Sequence, residues 1–408
     1  MITQIDIRNF KSLGPDFRLD LARDPKGIFE REGLTVLVGP NGSGKSNIAD
    51  AFQFLSEAIM TGLENAIERR RGIRSIRRRS SEGHLDVGFS VAWMSSRRRA
   101  EYSFTLASRG DDDYFVKEER GNTVEIPEGR TPRFHLQDGT WLDGPRNLRP
   151  QVSCRALALP LLLGDKRFAP IAEAFGSSSV YSIRPEILRT PQRSDPRLPM
   201  QSHGENWMSV LRNPNNAGAT AELKAALARL TGDIMDFRIS LMGGHLGAEF
   251  LHRHGTPSLA LNDSPSSGQW FDSSLESDGT LRVAGILTAL LQNPLPGLVA
   301  IEEPELSVHP GAIPLLYDYL EQAARRSQVL VTTHSVELLD RIDVDRIRVV
   351  ERRAGVTTVG RVTEEQREAV RSRLLKISDL VGMEGGLRQQ SSRPEFPQSG
   401  TSGASSET

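Results

Sequence analysis

The sequence predicts an α/β protein with a mixed, largely parallel core sheet, an antiparallel β lobe and a helical lobe. Three observations predict it. Leu34–Val38, Leu298–Ile301 and Val329–Thr332 are short, nearly continuous apolar runs, the pattern of strands buried on both faces. Helical patterns alternate with the last two, a βαβ rhythm that implies a parallel sheet. Between residues 85 and 106 the period changes to two. Leu85, Val87, Phe89, Val91 and Trp93 point one way and Tyr102, Phe104 and Leu106 repeat the pattern, as half-buried antiparallel strands do.

In chain order, Ile2, Ile5 and Ile7 alternate with polar residues and begin a strand rather than a leader peptide. After Leu34–Val38, a helix from about Lys45 to Met60 gathers Ile48, Ala51, Phe52 and Leu55 on one face. The antiparallel strands continue to about Ile126. From about 150 to 235 the signals are mostly helical, and the stripe Leu223, Leu227, Leu230 stops at Gly232. Two strand-like runs, 237–241 and 246–250, flank a Gly-Gly pair and read as a hairpin. From residue 275 a helix, a strand, a helix, a strand and a short helix follow, then a strand over 347–350. The expected head spans 1–388: an N-terminal half (1–140), a helical and hairpin insertion lobe (150–262) and a C-terminal half (263–388). The Ser/Gly/Pro-rich tail 389–408 has little to bury and is expected to be disordered.

A net charge of −1 supplies no global field toward nucleic acid or an anionic membrane, so any such contact needs a local patch. A single cysteine, Cys154, excludes an internal disulfide and reads as a small buried core residue. The longest apolar run, 156–164, is too short to span a bilayer, and the expected compartment is the cytosol, with no membrane partner.

Three motifs carry chemistry. Gly39-Pro-Asn41-Gly42-Ser43-Gly44-Lys45-Ser46 fits the phosphate-loop pattern G-x-x-x-x-G-K-[ST] and lies between an apolar strand and an amphipathic helix. Its glycines let backbone N–H groups wrap phosphates at a helix N-terminus; Lys45 would meet the β and γ phosphates and the Ser46 hydroxyl would bind Mg²⁺. The strand 298–301 ends in Glu302-Glu303, adjacent carboxylates whose repulsion and desolvation a structural role explains poorly. Glu302 is read as the Mg²⁺ ligand and Glu303 as the group that polarises the attacking water. His334 follows the next buried strand, where it would sense the γ-phosphate.

GPNGSGKSN (39–47), SDGTLR (277–282), IEEPE (301–305) and TTHS (332–335), in that order after the opening I-x-I-x-N-F-K-S (5–12), resemble the ABC-type ATPases of the RecF, SMC and OLD group. The short RecF-like members without a coiled-coil arm are most similar, and the likeness extends to about residue 388 through RRGIRSIRRRS (70–80), SIRPEILR (182–189) and GENW (204–207). The resemblance implies a P-loop NTPase of ABC type. ATP and Mg²⁺ would sit between two copies, with Asn41 to Asn47 on the nucleotide and Ser277, Asp278, Gly279 and Thr280 as the signature that reaches the partner's γ-phosphate. SDGT departs from the transporter signature LSGGQ, and no Q-loop glutamine can be assigned. A Ser/Asp–Gly helix start is also an anion site, best used from a partner if Lys45 already holds one end of the phosphates. The loop from Glu305 to His309 and Pro310 would sense the opposite site.

Arg69, Arg70, Arg71, Arg74, Arg77, Arg78 and Arg79, with Arg97 to Arg99, read as a nucleic-acid grip, a nucleotide contact or a solvated face. His252 and His254 are weak zinc candidates, and Asp343-Val-Asp345 is a turn. The expected function is ATP hydrolysis coupled to DNA transactions or to defence beside a separately encoded nuclease or toxin. The alternatives are a transporter's ATP-binding subunit or a non-hydrolysing scaffold.

Overall fold

The computed structural model describes residues 1–21, 33–79, 83–126, 129, 131–145, 147–253, 268–383 and 385–390. Seven strands form an antiparallel sheet: β1 (Ile2–Arg8), β2 (Phe17–Asp20), β4 (Val87–Met94), β5 (Arg98–Ser108), β6 (Tyr114–Glu125), β7 (Arg133–Gln137) and β8 (Thr140–Asp143), in the order β2-β1-β4-β5-β6-β7-β8. The core sheet comprises β3 (Leu34–Val38), β9 (Ser178–Tyr181), β14 (Leu298–Glu302), β15 (Gln328–Thr333), β16 (Ile347–Arg353) and β17 (Val356–Arg361), ordered β17-β16-β3-β15-β14-β9. All its pairings are parallel except the β16–β17 hairpin. A third sheet holds β10 (Gln192–Arg193), β11 (Ile234–Met242), β12 (His245–Arg253) and β13 (Gly268–Asp272).

The apolar runs are continuous because the core sheet separates two cores. Alternate residues of β3 serve opposite faces: Leu37 joins the cluster shared with the antiparallel sheet and the helix Lys45–Met60, while Leu34, Val36 and Val38 join the one beneath the helices Asp278–Leu291 and Ile313–Ala324. β14 and β15 divide in the same way, Leu298, Ala300 and Leu330 to the first and Val299, Ile301, Val329 and Val331 to the second. Full burial of one such aliphatic side chain is worth about 1.5–3 kcal/mol, so this two-sided pattern holds the strands in register.

Helical periodicity over 150–235 misses β9, which closes the core sheet beside β14. Ser-Ser-Val-Tyr is four residues long and half polar, too short to show a period. The helix Ala217–Thr231 and the hairpin β11–β12 lie where the sequence predicts them, the helix stopped by Gly232 in the left-handed region. Cys154 is half-buried rather than buried. Of the tail, Gln389 and Gln390 are described and tied to β17, with Thr358 Oγ1 donating to Gln389 Oε1 and Gln390 N to Arg361 O; 391–408 lie outside the described residues. Among the described residues no helix is long and apolar enough to cross a membrane.

Candidate functional site: a phosphate loop facing two acids and a histidine

Parallel register brings the motifs together. Leu37 of β3 pairs with Thr332 of β15, and Thr332 with Glu302 of β14. Adjacent strands are about 4.8 Å apart, so three neighbouring strands end within ~10 Å of one another. There the chain leaves β3 into the phosphate loop, β15 into His334 and β14 into Glu303. Ligands gather at such carboxyl ends in open α/β sheets.

The loop is shaped by close approaches that only glycine allows. A Cβ on Gly44 would lie 2.2 Å from Thr357 Oγ1, and its φ of 107° is a left-handed value. Gly39 packs as closely against the Val350 carbonyl. Thr357, wholly buried in β17, donates from Oγ1 to the Ser43 carbonyl at 2.8 Å and shares a 2.7 Å hydrogen bond with Ser12. Ser12 also accepts from Asn47 Nδ2 at 2.7 Å, so Asn47 turns its amide donor to the N-terminal strap. Gly44 caps the helix with no side-chain hydrogen bond; Asn47 N already donates to Gly44 O at 3.0 Å, which leaves the Lys45 and Ser46 N–H groups to face phosphate oxygens. Asn41, Gly42 and Ser46 are exposed, while the Ser43 hydroxyl is buried without a partner.

Lys45 is 6% exposed and folded back on its loop: Nζ donates to Gly39 O at 2.8 Å, to Pro40 O at 3.2 Å and to His334 Nε2 at 2.7 Å. Burial lowers the Lys45 pKa against the opposing charges of Glu303 and Glu305. Burial and the Lys45 charge also lower the pKa of His334, so its ring is neutral and Nε2 is an acceptor. Glu303 Oε1 stands 3.8 Å from the same nitrogen. Glu303 has a φ of 44°, held by donation of its N–H to Thr332 O at 2.9 Å and by Arg282 Nη2 donating to its carbonyl at 3.2 Å. Strained backbone of this kind persists where surroundings over-determine it. Glu305 was read only as the start of a sensing loop, yet its Oε1 accepts from Thr333 Oγ1, His334 N and Ser335 N.

The residues fit Mg²⁺ in the manner usual for nucleotide sites. Among the described residues no cluster of three His, Cys, Asp or Glu side chains could hold a metal alone. Glu302 is half-buried at a strand end and the Ser46 hydroxyl is exposed, a sparse oxygen donor set that phosphate oxygens and water would complete.

The signature residues sit apart on an exposed helix start. Ser277 caps the helix Asp278–Leu291 by accepting from Thr280 N at 3.1 Å. Arg189 pairs with Asp278 and donates to Glu276 O at 2.8 Å, which explains the SIRPEILR segment. A Cβ on Gly279 would meet Ser307 O at 2.5 Å. His252 is no zinc ligand: Nε2 bonds Glu276 at 2.6 Å and Nδ1 bonds Asp233 at 3.2 Å, bracing the residue before the signature; His254 lies outside the described residues.

The arginine cluster divides. Arg70 is locked to Asp50 at 2.6 Å and Glu57 at 2.5 Å and lies over Phe54, Arg69 pairs with Glu57 at 3.2 Å, and Arg77 is 9% exposed and bonded to Ser108 at 2.7 Å. These three clamp helix Lys45–Met60 and the antiparallel sheet, while Arg71, Arg74 and Arg79 remain exposed. Asp343 caps a turn and Asp345 pairs with Arg367 and Arg371, as a structural link would.

Comparison with known proteins bears on the family and the fold. The crystal structure of the SmcHead bound to the C-winged helix domain of ScpA superposes with a TM-score of 0.53 at 15% identity, covering 90% of this chain and 99% of that one. A stretch of 50 residues, 12% of this chain, is 50% identical to the chromosome partition protein Smc of Gloeobacter violaceus, although the chain covers only 4% of that protein's length. A family model matches residues 34–340, three quarters of the chain. The chain therefore belongs to the family described as "AAA domain, putative AbiEii toxin, Type IV TA system", and its fold is that of an Smc head.

Proposed function

We propose that two copies of the chain enclose two molecules of ATP and hydrolyse them. The observation that carries this reading is the meeting of Lys45, His334 and Glu303 at three adjacent strand ends, at 2.7 and 3.8 Å. On binding, the Lys45 ammonium leaves the Gly39 and Pro40 carbonyls for β- and γ-phosphate oxygens, and the loop N–H groups from Asn41 to Asn47 satisfy the rest. His334, freed from Lys45, hydrogen-bonds the γ-phosphate. The Glu303 carboxylate accepts a hydrogen bond from a water in line with the γ-phosphorus; the water oxygen bonds to phosphorus as the bond from phosphorus to the β–γ bridging oxygen breaks, Glu303 takes the water proton, and ADP and phosphate leave. Ser46 and Glu302 would hold Mg²⁺, which would supply charge neutralisation at the phosphates. The exposed Ser277 and Asp278, with the half-buried Gly279, serve the partner's γ-phosphate.

The test is an equilibrium titration with a labelled ATP analogue, paired with steady-state hydrolysis. Lys45→Ala should abolish most analogue binding. Glu303→Gln should keep it, slow turnover by at least ~10²-fold and trap a dimer seen by light scattering. Normal turnover of Glu303→Gln would defeat the assignment.

The downstream role is DNA transactions or defence beside a separate nuclease or toxin. What supports DNA is the exposed trio Arg71, Arg74 and Arg79; Arg77 is withdrawn from it because it is buried. If DNA stimulates hydrolysis at low salt, changing that trio to alanine should flatten the salt dependence by about one unit of slope per lost phosphate contact. No stimulation points to a protein effector. A transporter subunit is disfavoured by SDGT in place of LSGGQ, and a non-hydrolysing scaffold by the intact Glu302-Glu303 pair.

A further inference from the structure

We propose that Glu305 is a positioning residue, whose carboxylate shapes the turn after β15 and so holds His334 at the γ-phosphate. The proposal rests on the ATPase reading only for what His334 does there, not for how it is held.

β15 ends at Thr333, and the chain turns at once into the short helix Val336–Leu339. Such a turn exposes donors that no strand or helix satisfies. Three of them converge on one oxygen: Glu305 Oε1 accepts from Thr333 Oγ1 at 2.6 Å, from His334 N at 2.9 Å and from Ser335 N at 3.1 Å. Hydrogen bonds to an ionised acceptor are roughly twice as strong as neutral ones, so the carboxylate is the dominant constraint on this turn. Thr333 Oγ1 also accepts from Ser335 N at 3.0 Å, which ties the turn to itself. With the His334 backbone fixed, the ring reaches Lys45 Nζ at 2.7 Å and stands 3.8 Å from Glu303.

Glu305 lies two residues beyond Glu303 on the same strap, so one short segment sets the acid and, through Glu305, the histidine. Aspartate, one methylene shorter, would fall about 1.5 Å short of these donors. Metal ligation is a poor use of Oε1, which three donors already occupy, whereas Glu302 has no such engagement among the described contacts.

The experiment is a double-mutant cycle with an exchange measurement on the full chain. Glu305→Ala and His334→Ala should each slow ATP turnover ~10²-fold while analogue affinity stays within ~3-fold, and the double variant should be no slower than the slower single. Multiplying losses would overturn the proposal, since Glu305 would then act independently of His334. In nucleotide-free protein, hydrogen exchange of the His334 and Ser335 amides should accelerate at least ~10-fold in Glu305→Ala. Glu305→Gln, which keeps the accepting oxygen, should retain most of that protection and most of the turnover. Unchanged exchange in Glu305→Ala refutes the positioning role even if wild type proves not to hydrolyse ATP, a result that would sink only the ATPase reading. If Glu305→Ala fails to fold, Glu305→Gln decides: a ~10²-fold turnover loss with intact protection would make Glu305 a direct participant and overturn the proposal.

Discussion

His334 and His252 belong to the two halves of the candidate site and are tuned in opposite directions. His334, on the phosphate-loop side, is held low by burial and by the Lys45 ammonium at 2.7 Å. His252, which braces the signature side, is raised, because Glu276 and Asp233 prevail over its burial. The phosphate-loop half is enclosed and finished within one chain: Lys45 and Ser43 are buried, and Thr357 and Ser12 close its back. The signature half is turned outward, with Ser277 and Asp278 exposed and steadied by Arg189 and His252. A half that is complete alone and a half that faces away are what the proposed two-copy site requires.

The largest expected effect is at the enclosed half. Gly44→Val should abolish analogue binding, because a branched side chain would be driven into Thr357 at a left-handed φ. A protein that folded and still bound the analogue would show that the loop tolerates another shape and that its enclosure is not the basis of binding. Next in size is recovery on mixing. A Lys45→Ala protein and a Ser277→Arg protein, each inactive, should regain up to about a quarter of wild-type turnover when mixed, if dimers form at random and each composite site acts alone. No recovery among proven mixed dimers would mean that the signature works within its own chain or that both sites must fire together.

Arg189→Ala should have a smaller effect, a several-fold rise in KM for ATP with near-normal single-copy analogue affinity, because Asp278 and the Glu276 carbonyl lose their anchor. A fall in single-copy affinity would place Arg189 on the wrong side of the comparison. The smallest effect is on stability against pH. A histidine with a raised folded pKa contributes stability that is full below its unfolded value near 6.5 and lost as pH rises through the folded value. His252→Gln should therefore lower Tm by ~1–3 °C at pH 6 and by less at pH 9, measured by differential scanning fluorimetry. A difference that grew with pH would mean the ring is neutral in the fold.

Much of this architecture was legible in sequence, because two-faced burial writes continuous apolar runs and the phosphate chemistry demands particular residues in a row. Gly39 to Ser46, Glu302-Glu303 and His334 each follow a recognisable strand, and register alone then makes them neighbours. What escaped notice has no local signature. β9 is too short to show a period. Thr357 and Ser12 work as a pair 345 positions apart, and Arg189 meets Asp278 across 89. The arginine run stayed ambiguous because composition cannot distinguish Arg70, clamped by Asp50 and Glu57, from Arg71, which is exposed to solvent. His252 invited a metal reading because its carboxylate partners lie on other elements.

The wall behind the phosphate loop has a consequence for the order of events during synthesis. Ser43 and the hydroxyl that supports its carbonyl are 314 positions apart, and Thr357 stands in one of the last strands of the chain. Chains leave the ribosome at roughly 5–20 residues per second, so the loop waits many seconds for its support. During that interval the nascent chain displays a glycine-rich turn without its back wall, and a competent nucleotide pocket dates from the arrival of the final hairpin. A chain cut short before β17 would then be blind to nucleotide, and ligand would have no means of rescuing it.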